Sequence, residues 1–464
     1  MKKYIIFATV CLGLLLTSTS NSMASVALST LMTDLDTTLV LAGWVLSGFS
    51  LVHTVAMPLT GKISDMLGGK RTFIAYTVLF IAGSVLCALS PNIYWLIASR
   101  IIQALGAAGF MPCASGIVAD EFPDEWPRYI GLFSSVFPIG MILGPNIGGW
   151  LVEAFGWRYM FWFNIPFGVV VLLTSIFLLP KRENKSVQTS IDFIGSGLLF
   201  GSIFSLMLAL SQLGTKGGDV PWLLAGVLLA LAIGLFIPFL RWERRVKSPV
   251  IDLTLLTHGP FLAANLYNML YGICGLGVIS LIPLYAVSVY KMSVLESGVL
   301  LTPRSLGMII ASSVVSFMMS RWGYFKPIMV GTLLLILSLV LLALRPQGGV
   351  FLGINFSEVV LLFGLVGLCG LGAGIATPAS SNACIELMPD KVATITGLRG
   401  MFRSLGSAMG VSLATIVLNN IEDTGKAWTV VYIGSVVIGL LSLPAIFGLP
   451  RSAKTKVVAE IKPN

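Results

Sequence analysis

Long apolar segments, each separated from the next by a short polar turn, repeat along almost the whole chain. Their apolarity is continuous rather than alternating, which predicts helices, and about 20 residues span the hydrocarbon core of a bilayer. About fourteen such segments are present. They are 5–31, 41–60, 72–90, 94–118, 129–152, 160–180, 192–212, 221–240, 260–287, 296–319, 326–344, 357–380, 394–418 and 428–449. The pattern predicts an all-α polytopic membrane protein.

Composition supports this prediction, because 56% of the residues are hydrophobic and only 11% are charged. The six cysteines lie in apolar segments without metal-type spacing, so neither a disulfide framework nor a metal site is indicated. Lys2, Lys3 and the small residues of SMASVA imitate a cleaved secretory signal. Apolar residues resume beyond them, and a transmembrane helix is the preferred interpretation.

The net charge of +9 follows the predicted topology. With a cytoplasmic N-terminus, twenty Lys or Arg residues fall on the cytoplasmic side. The outside loops hold five: Arg158, Lys216, Lys291, Arg345 and Lys426. Such a bias places both termini in the cytoplasm, and it explains the basic composition without nucleic acid.

The turn GKISDMLGGKR, residues 61–71, concentrates charge between the second and third segments. Asp65 lies among basic residues there, and Gly61 and Gly68 permit tight turning and packing. A solvated loop is the simple explanation. The alternative is that Asp65 docks at the amide end of the helix that starts near Thr394, or on Arg399 or Arg403.

Three further stretches favour a functional interpretation: LIASRIIQALGAAG (96–109), GMILGPNIGG (140–149) and GLRGMFRSLGS (397–407). The first carries Arg100 and Gln103 one helical turn apart. An arginine inside a membrane helix costs about 2.5–3.5 kcal/mol on insertion scales, so a partner or an aqueous cavity is expected. In the second, glycines recur every four residues, a spacing that also occurs in ordinary helix packing.

Together with the charged turn, these stretches resemble the signature motifs of the major facilitator superfamily, specifically its fourteen-helix drug:proton antiporters. The resemblance implies an N-terminal six-helix bundle (1–185), two additional helices (186–247) and a C-terminal six-helix bundle (248–464). It implies a cytoplasmic gate comprising Gly61, Asp65, Gly68, Lys70, Arg71, Arg399 and Arg403. It also implies an antiporter motif comprising Gly140, Gly144, Pro145, Gly148 and Gly149.

SFMMSRWGYFK, residues 316–326, is the corresponding turn of the second half. Gly323 aligns with Gly68 and Lys326 with Arg71, whereas Ser320 stands where Asp65 would be. The second gate is therefore degenerate.

The family often carries an aspartate in its first helix, where this chain has Ser20 in SNSMASVALS. A cationic substrate therefore lacks an evident counter-ion. The remaining coupling candidates are Arg100, Gln103, His53 and Asp34, and the substrate-cavity candidates are Asn21, Asn265, Asn268 and Tyr271. A structural hydrogen bond is the competing explanation for His53 and for the asparagines.

The loops are too short for a catalytic domain, and no GxxxxGK[ST] segment for nucleotide binding is present. We therefore expect a transporter rather than an enzyme, without a cofactor, metal or nucleotide. It would use alternating access in the cell membrane to export small amphipathic organic molecules in exchange for protons. The alternatives are uptake of a vitamin-like nutrient such as a flavin and a non-transporting sensor.

Overall fold

The computed structural model describes residues 2–37, 39–180, 192–213, 222–246, 249, 259–292, 297, 299–345, 349–351 and 354–450. The described chain is almost entirely helical. Its α-helices are α1 (Lys2–Val26), α2 (Leu28–Asp34), α3 (Leu39–Leu67), α4 (Gly69–Ala88), α5 (Ile93–Glu121), α6 (Trp126–Ser134), α7 (Val136–Phe155), α8 (Arg158–Leu178), α9 (Phe193–Leu213), α10 (Trp222–Glu243), α11 (Gly259–Tyr271), α12 (Ile282–Tyr290), α13 (Leu301–Trp322), α14 (Phe325–Ala343), α15 (Glu358–Glu386), α16 (Val392–Asn420) and α17 (Thr424–Phe447).

Short elements of other kinds interrupt this series. A π-helical turn (Gly272–Gly277) and a 3₁₀ turn (Val278–Leu281) separate α11 from α12, and a second 3₁₀ turn (Pro389–Lys391) precedes α16. Strands β1 (Gly349–Phe351) and β2 (Ile354–Phe356) form an antiparallel hairpin, with Val350 opposite Asn355. The sequence pattern did not predict this hairpin.

Thirteen helical segments of the described chain are long and apolar enough to cross a bilayer, and α9 contains a shorter apolar helix over Ile194–Leu210. Large apolar side chains such as Phe177 and Leu223 are exposed on these helices, as expected for a lipid-facing surface. The prediction of an all-α polytopic membrane protein is confirmed. The three-part division at residues 185 and 247 stays a prediction.

Three predicted segments are divided. The first, 5–31, is interrupted at Ala27 between α1 and α2. Within 129–152, α6 ends at Ser134 because Pro138 has no N–H to donate to the Ser134 carbonyl. Within 260–287, the helix changes to π geometry at Gly272, in a stretch that also contains Gly275 and Gly277. A π turn inside an α-helix is rare and frequently marks a functional position.

The chain contacts divide the protein into two units. The first contains the described residues of Met1–Ser196, Val246–Val250 and Met388–Gly400. In it, α1 packs on α7 and α8, while α5 packs on α3 and α4. Its apolar core includes Met23, Leu31, Val45, Leu96 and the fully buried Trp157.

The second unit contains the described residues of Gly197–Arg245, Ile251–Leu387 and Met401–Asn464. In it, α15 packs on α13 and α14, and α17 packs on α11 and α14. An aromatic cluster anchors α17, with the Tyr285 ring 5.2 Å from Trp428 and 5.0 Å from Tyr432 between centroids. Because these large rings are buried, their contacts fix the position of α17 in the second unit.

Candidate functional site

The charged stretch 61–71, predicted as a turn, is helical except at Gly68: Asp65 lies in the last turns of α3, and α4 begins at Gly69. This charged turn binds the start of α16 within the first unit. The Asp65 carboxylate accepts hydrogen bonds from the backbone N–H of Ala393 at 3.2 Å and of Thr394 at 2.7 Å. Both donors belong to the first turn of α16, whose N–H groups have no partner within their own helix. Asp65 therefore caps a helix more than three hundred residues away in sequence. Its charge lies at the positive end of that helix dipole.

Glycines allow the backbones to approach at this contact. A Cβ atom on Gly61 would collide with the Ala393 carbonyl, and one on Gly397 would collide with the Met57 carbonyl. Gly68 ends α3 with φ +93°, which side-chain-bearing residues rarely adopt. Gly323 has φ +65° at the corresponding turn after α13, as the alignment of the two turns predicted.

Two lysines of the same turn bind backbone carbonyl groups. Lys70 Nζ donates to the carbonyls of Ile176 and Leu179, both at 2.7 Å, at the C-terminal end of α8. This is the helix end at which a positive charge is stabilising. Lys62 Nζ donates to the Pro249 carbonyl at 2.7 Å, and Arg71 is exposed. Asp65 and Lys70 thus each match a helix end in sign.

The other two predicted gate residues follow Thr394 along α16. Arg399 belongs to the first unit and is 2% exposed. Arg403 belongs to the second unit, where its guanidinium carbon lies 5.7 Å from the centre of the Tyr271 ring.

A polar network surrounds Arg100 in the first unit, although the side chain is fully buried. Its Nη1 donates to Gln103 Oε1 at 2.7 Å, and its Nε donates to the Val45 carbonyl at 3.2 Å. The guanidinium also lies over the rings of Phe49 and Phe161, at 4.3 and 5.7 Å. Within the described ranges, Arg100 forms no ion pair with a carboxylate.

Gln103 extends this network toward α1 and α8. Its Nε2 donates to Ser84 Oγ at 2.8 Å and to Ser20 Oγ at 3.4 Å. Ser20 Oγ also accepts from Asn164 Nδ2 at 3.0 Å. Ser20, which replaces the aspartate often found in the family, is thus an acceptor for two amides.

The other two coupling candidates differ in their position. His53 stacks on Phe49 with ring centres 5.8 Å apart, on an aromatic ring that also faces Arg100. Asp34 is exposed at the end of α2. The structure brings Arg100, Gln103 and His53 together and leaves Asp34 outside this group.

The glycines of α7 face α1. A Cβ atom on Gly140, Gly144 or Gly148 would approach Ser18, Ser22 or Met23, respectively, at 3.0 Å or less. By contrast, a Cβ atom on Gly149 would meet nothing within 4 Å. Pro145 lies within α7, which continues past it to Phe155. Three of the four motif glycines therefore make the close contact between α1 and α7.

The polar residues of α11 are buried in the second unit. Asn268 Nδ2 donates to the Ala264 carbonyl at 2.7 Å, and its Oδ1 accepts from Ser380 at 3.3 Å. Asn265 Nδ2 donates to the Phe261 carbonyl at 3.0 Å. Both side-chain amides are thus hydrogen-bonded to groups of the surrounding helices. Their cavity role, like that of the half-buried Asn21 on α1, stays a prediction.

Arg304 was not selected from the sequence, although an arginine inside an apolar segment is a detectable signal. It lies in α13, is 4% exposed and donates from Nη2 to the Gly275 carbonyl at 3.1 Å. Gly275 is part of the π-helical turn. Sequence could not identify this partner, since 29 positions separate the two residues.

Packed apolar helices, a charged turn that caps a helix end and buried polar side chains define a polytopic membrane protein. Residues 10–410 match the family model of the Major Facilitator Superfamily. The chain belongs to that superfamily, as the sequence motifs predicted.

Three proteins illustrate the similarity. Multidrug transporter protein MdtP of Bacillus subtilis is 27% identical over 81% of this chain and 68% of its own length. Riboflavin transporter RibZ of Clostridioides difficile is 29% identical over 89% of this chain and 87% of its own. The crystal structure of the human organic anion transporter MFSD10 (TETRAN) matches with a TM-score of 0.66 and 18% identity, covering 96% of this chain and 99% of that one. The last similarity concerns the fold alone.

Proposed function

We propose that this protein is a proton-coupled exporter of small amphipathic organic molecules that works by alternating access. It would lie in the plasma membrane with both termini in the cytoplasm, in keeping with the distribution of its basic residues. The observation that supports a gated cycle most directly is the capping of α16 by Asp65. We propose that these two hydrogen bonds break when the cytoplasmic side opens and form again when it closes.

The strength of this cap suits a reversible gate. Removing a helix N-cap costs about 0.5–2 kcal/mol, which is enough to shift an equilibrium between two states by up to about thirtyfold. A contact of this size can hold one state without trapping it.

The first test is Asp65→Asn. The amide keeps one carbonyl oxygen, so one of the two N–H groups loses its acceptor and the helix end loses a negative charge. We expect transport to fall about five- to tenfold, corresponding to about 1–1.4 kcal/mol, with near-normal abundance in the membrane. Substrate flux and quantitative immunoblotting on the same vesicles measure both quantities.

Asp423→Asn is the matched control. Asp423 accepts from the Lys426 N–H at 3.0 Å and caps its own helix, α17, at an exposed position. We expect its transport rate to equal that of the wild type. A wild-type rate for Asp65→Asn at normal abundance would show that the Asp65 cap is a packing contact without a role in transport.

The direction of transport is proposed from the close contact between α7 and α1. Motif glycines at this contact resemble the antiporter motif of proton-coupled exporters. The similarity to a multidrug transporter supports small organic molecules as the substrates. A tightly packed pair of helices would limit proton leak during the cycle. Bulk at Gly144 would collide with Ser22 and separate the helices.

The second test compares Gly144→Leu with Gly149→Leu. Cells producing the wild type should accumulate less of a lipophilic dye than control cells, and a protonophore should abolish the difference. Gly144→Leu should lose most of the efflux, whereas Gly149→Leu should retain it because that position has space. Equal efflux by the two variants would show that the close α1–α7 contact is dispensable.

Uptake of a neutral nutrient is the second candidate. The network around Arg100 and Gln103 contains serines and amides where a counter-ion for a cationic drug would be expected. Similarity to a riboflavin transporter supports a flavin as the first compound to test. Riboflavin accumulation that rises on expression, without efflux of any dye in the panel, would favour uptake over export.

A further inference from the structure

Arg304 is a buried cation that has more hydrogen-bond donors than the described residues around it supply acceptors. A guanidinium has five N–H donors, yet among the described residues the bond from Nη2 to Gly275 is its one hydrogen bond to an oxygen atom. Its buried Nε has no hydrogen-bond partner in the described part of the chain. Arg304 also lies within hydrogen-bonding range of the thiol of Cys369, which is a weak acceptor.

A positive charge in such a place is costly without a counter-ion. Removing an ion from water carries a penalty of several kcal/mol, which an ion partner with good geometry can offset. Within the described ranges, no carboxylate of the protein forms an ion pair with Arg304. An acceptor supplied from outside the chain would complete the coordination.

Two further groups lie next to Arg304 in the second unit. The Tyr271 side chain is buried and lies close enough to both Arg304 and Arg403 to interact electrostatically with them. The Tyr271 hydroxyl also lies beside Thr377. Two cations and a phenol, carried on three different helices, therefore meet in one region.

The backbone around these groups is arranged by glycines. A Cβ atom on Gly370 would collide with the Arg304 carbonyl, and one on Gly272 would collide with the Arg403 carbonyl. The π turn at Gly272–Gly277 brings a carbonyl to Arg304 that regular helix geometry would direct along the helix axis. Interrupted helices of this kind form binding sites near the midplane of membrane transporters.

We propose that Arg304, together with Arg403 and Tyr271, binds the anionic group of an amphipathic organic substrate such as a carboxylate. The planar guanidinium fork matches a carboxylate in two parallel hydrogen bonds. The aromatic face of Tyr271 contributes apolar contact beside it. The proposal rests on the transport function and specifies the charge of its substrate.

Fluorescein and rhodamine 6G test this charge preference, because they share a xanthene ring system and differ in sign. The full chain is purified in detergent and titrated into each dye while fluorescence anisotropy is recorded. We expect the wild type to bind fluorescein more tightly than rhodamine 6G, and benzoate to compete. Equal or tighter binding of the cationic dye at the same site would overturn the proposal.

Arg304→Gln should weaken fluorescein binding at least tenfold, or about 1.4 kcal/mol, without a comparable loss for rhodamine 6G. Arg241→Gln removes an exposed arginine from the same unit and should bind like the wild type.

Arg304→Lys keeps the positive charge but not the planar guanidinium fork, so it should give an intermediate affinity. It replaces the glutamine variant in the test if that variant does not fold. Unchanged affinity in both Arg304 variants would contradict the site. A purely structural arginine would lower stability and leave the ratio of the two affinities unchanged.

Transport measurements with the same dyes separate this proposal from the function on which it rests. Transport of neutral or cationic dyes without fluorescein binding would reject the anion site and leave the transporter intact. Fluorescein binding without transport of any compound would reject the proposed function alone.

Discussion

Arg100 and Arg304 are both buried on apolar helices, one in each unit, and neither forms an ion pair in the described chain. Their surroundings differ. Arg100 has two hydrogen bonds to oxygen and two aromatic rings beside its guanidinium. Arg304 has one such hydrogen bond, formed to an interrupted helix, and a thiol.

The difference indicates how a membrane protein can use the same residue type for two tasks. Around Arg100 the hydrogen bonds continue through Gln103 to serines and an asparagine, so the cation is part of an extended network. Its Nη2 has no hydrogen-bond partner in the described chain, but two aromatic rings lie beside the guanidinium. Linked hydrogen bonds of this kind strengthen one another in a low-dielectric interior. Around Arg304 the protein provides fewer acceptors, which leaves capacity for a ligand. The stability of the protein should therefore depend more on the Arg100 site. The preference for the charge of the substrate should depend more on the Arg304 site.

The largest expected effect tests the network around Arg100. Gln103→Leu removes the acceptor of Arg100 Nη1 and the donor to Ser84 and Ser20. Leaving a buried charged donor without its partner costs about 2–3 kcal/mol. The variant should have a clearly lower apparent Tm in detergent, measured by intrinsic tryptophan fluorescence.

Arg304→Gln and Gln103→Glu set the scale for that measurement. The first should lower Tm less than Gln103→Leu, because fewer hydrogen bonds are lost at Arg304. The second offers Arg100 a carboxylate at the same distance from the backbone and should retain most of the wild-type Tm. If Arg304→Gln destabilised the protein more than Gln103→Leu, the roles assigned to the two arginines would have to be exchanged.

Much of the fold was predictable, because segment length and continuous apolarity require only local information. The partner of Asp65 was also among those predicted, since a carboxylate and a helix start near Thr394 were expected on the same membrane side. The arrangement of Arg100 with Gln103 follows from their spacing of three residues on one helix.

The second unit was harder to predict because its important contacts are not local. Gly272 and Gly277 lie in an apolar segment that resembles any transmembrane helix, and packing against α16 is what identifies their role. The acceptor of Arg304 lies on a different helix. Asn265 and Asn268 were predicted as substrate-cavity candidates, but sequence cannot distinguish a cavity lining from the hydrogen bonds that both side chains form to their own helix.

A smaller effect should follow when the first unit is given the acid it lacks. Ser20 Oγ accepts from Gln103 and Asn164, and Gln103 holds Arg100. In Ser20→Asp, the new carboxylate can accept hydrogen bonds from the same two amides. Gln103 then lies between this negative charge and the Arg100 guanidinium. A negative charge near a bound cationic dye should strengthen its binding by about 0.5–1 kcal/mol. The gain is this small because Arg100 neutralises part of the new charge. We expect a two- to fivefold increase in rhodamine 6G affinity and little change for fluorescein, if Arg304 holds the anion in the other unit.

Ser20→Asn is the control, because it adds a similar volume without charge. It should leave the affinities for both dyes unchanged. A loss of fluorescein binding in Ser20→Asp equal to that in Arg304→Gln would mean that one site senses both charges, and the two arginines could no longer be assigned separate tasks.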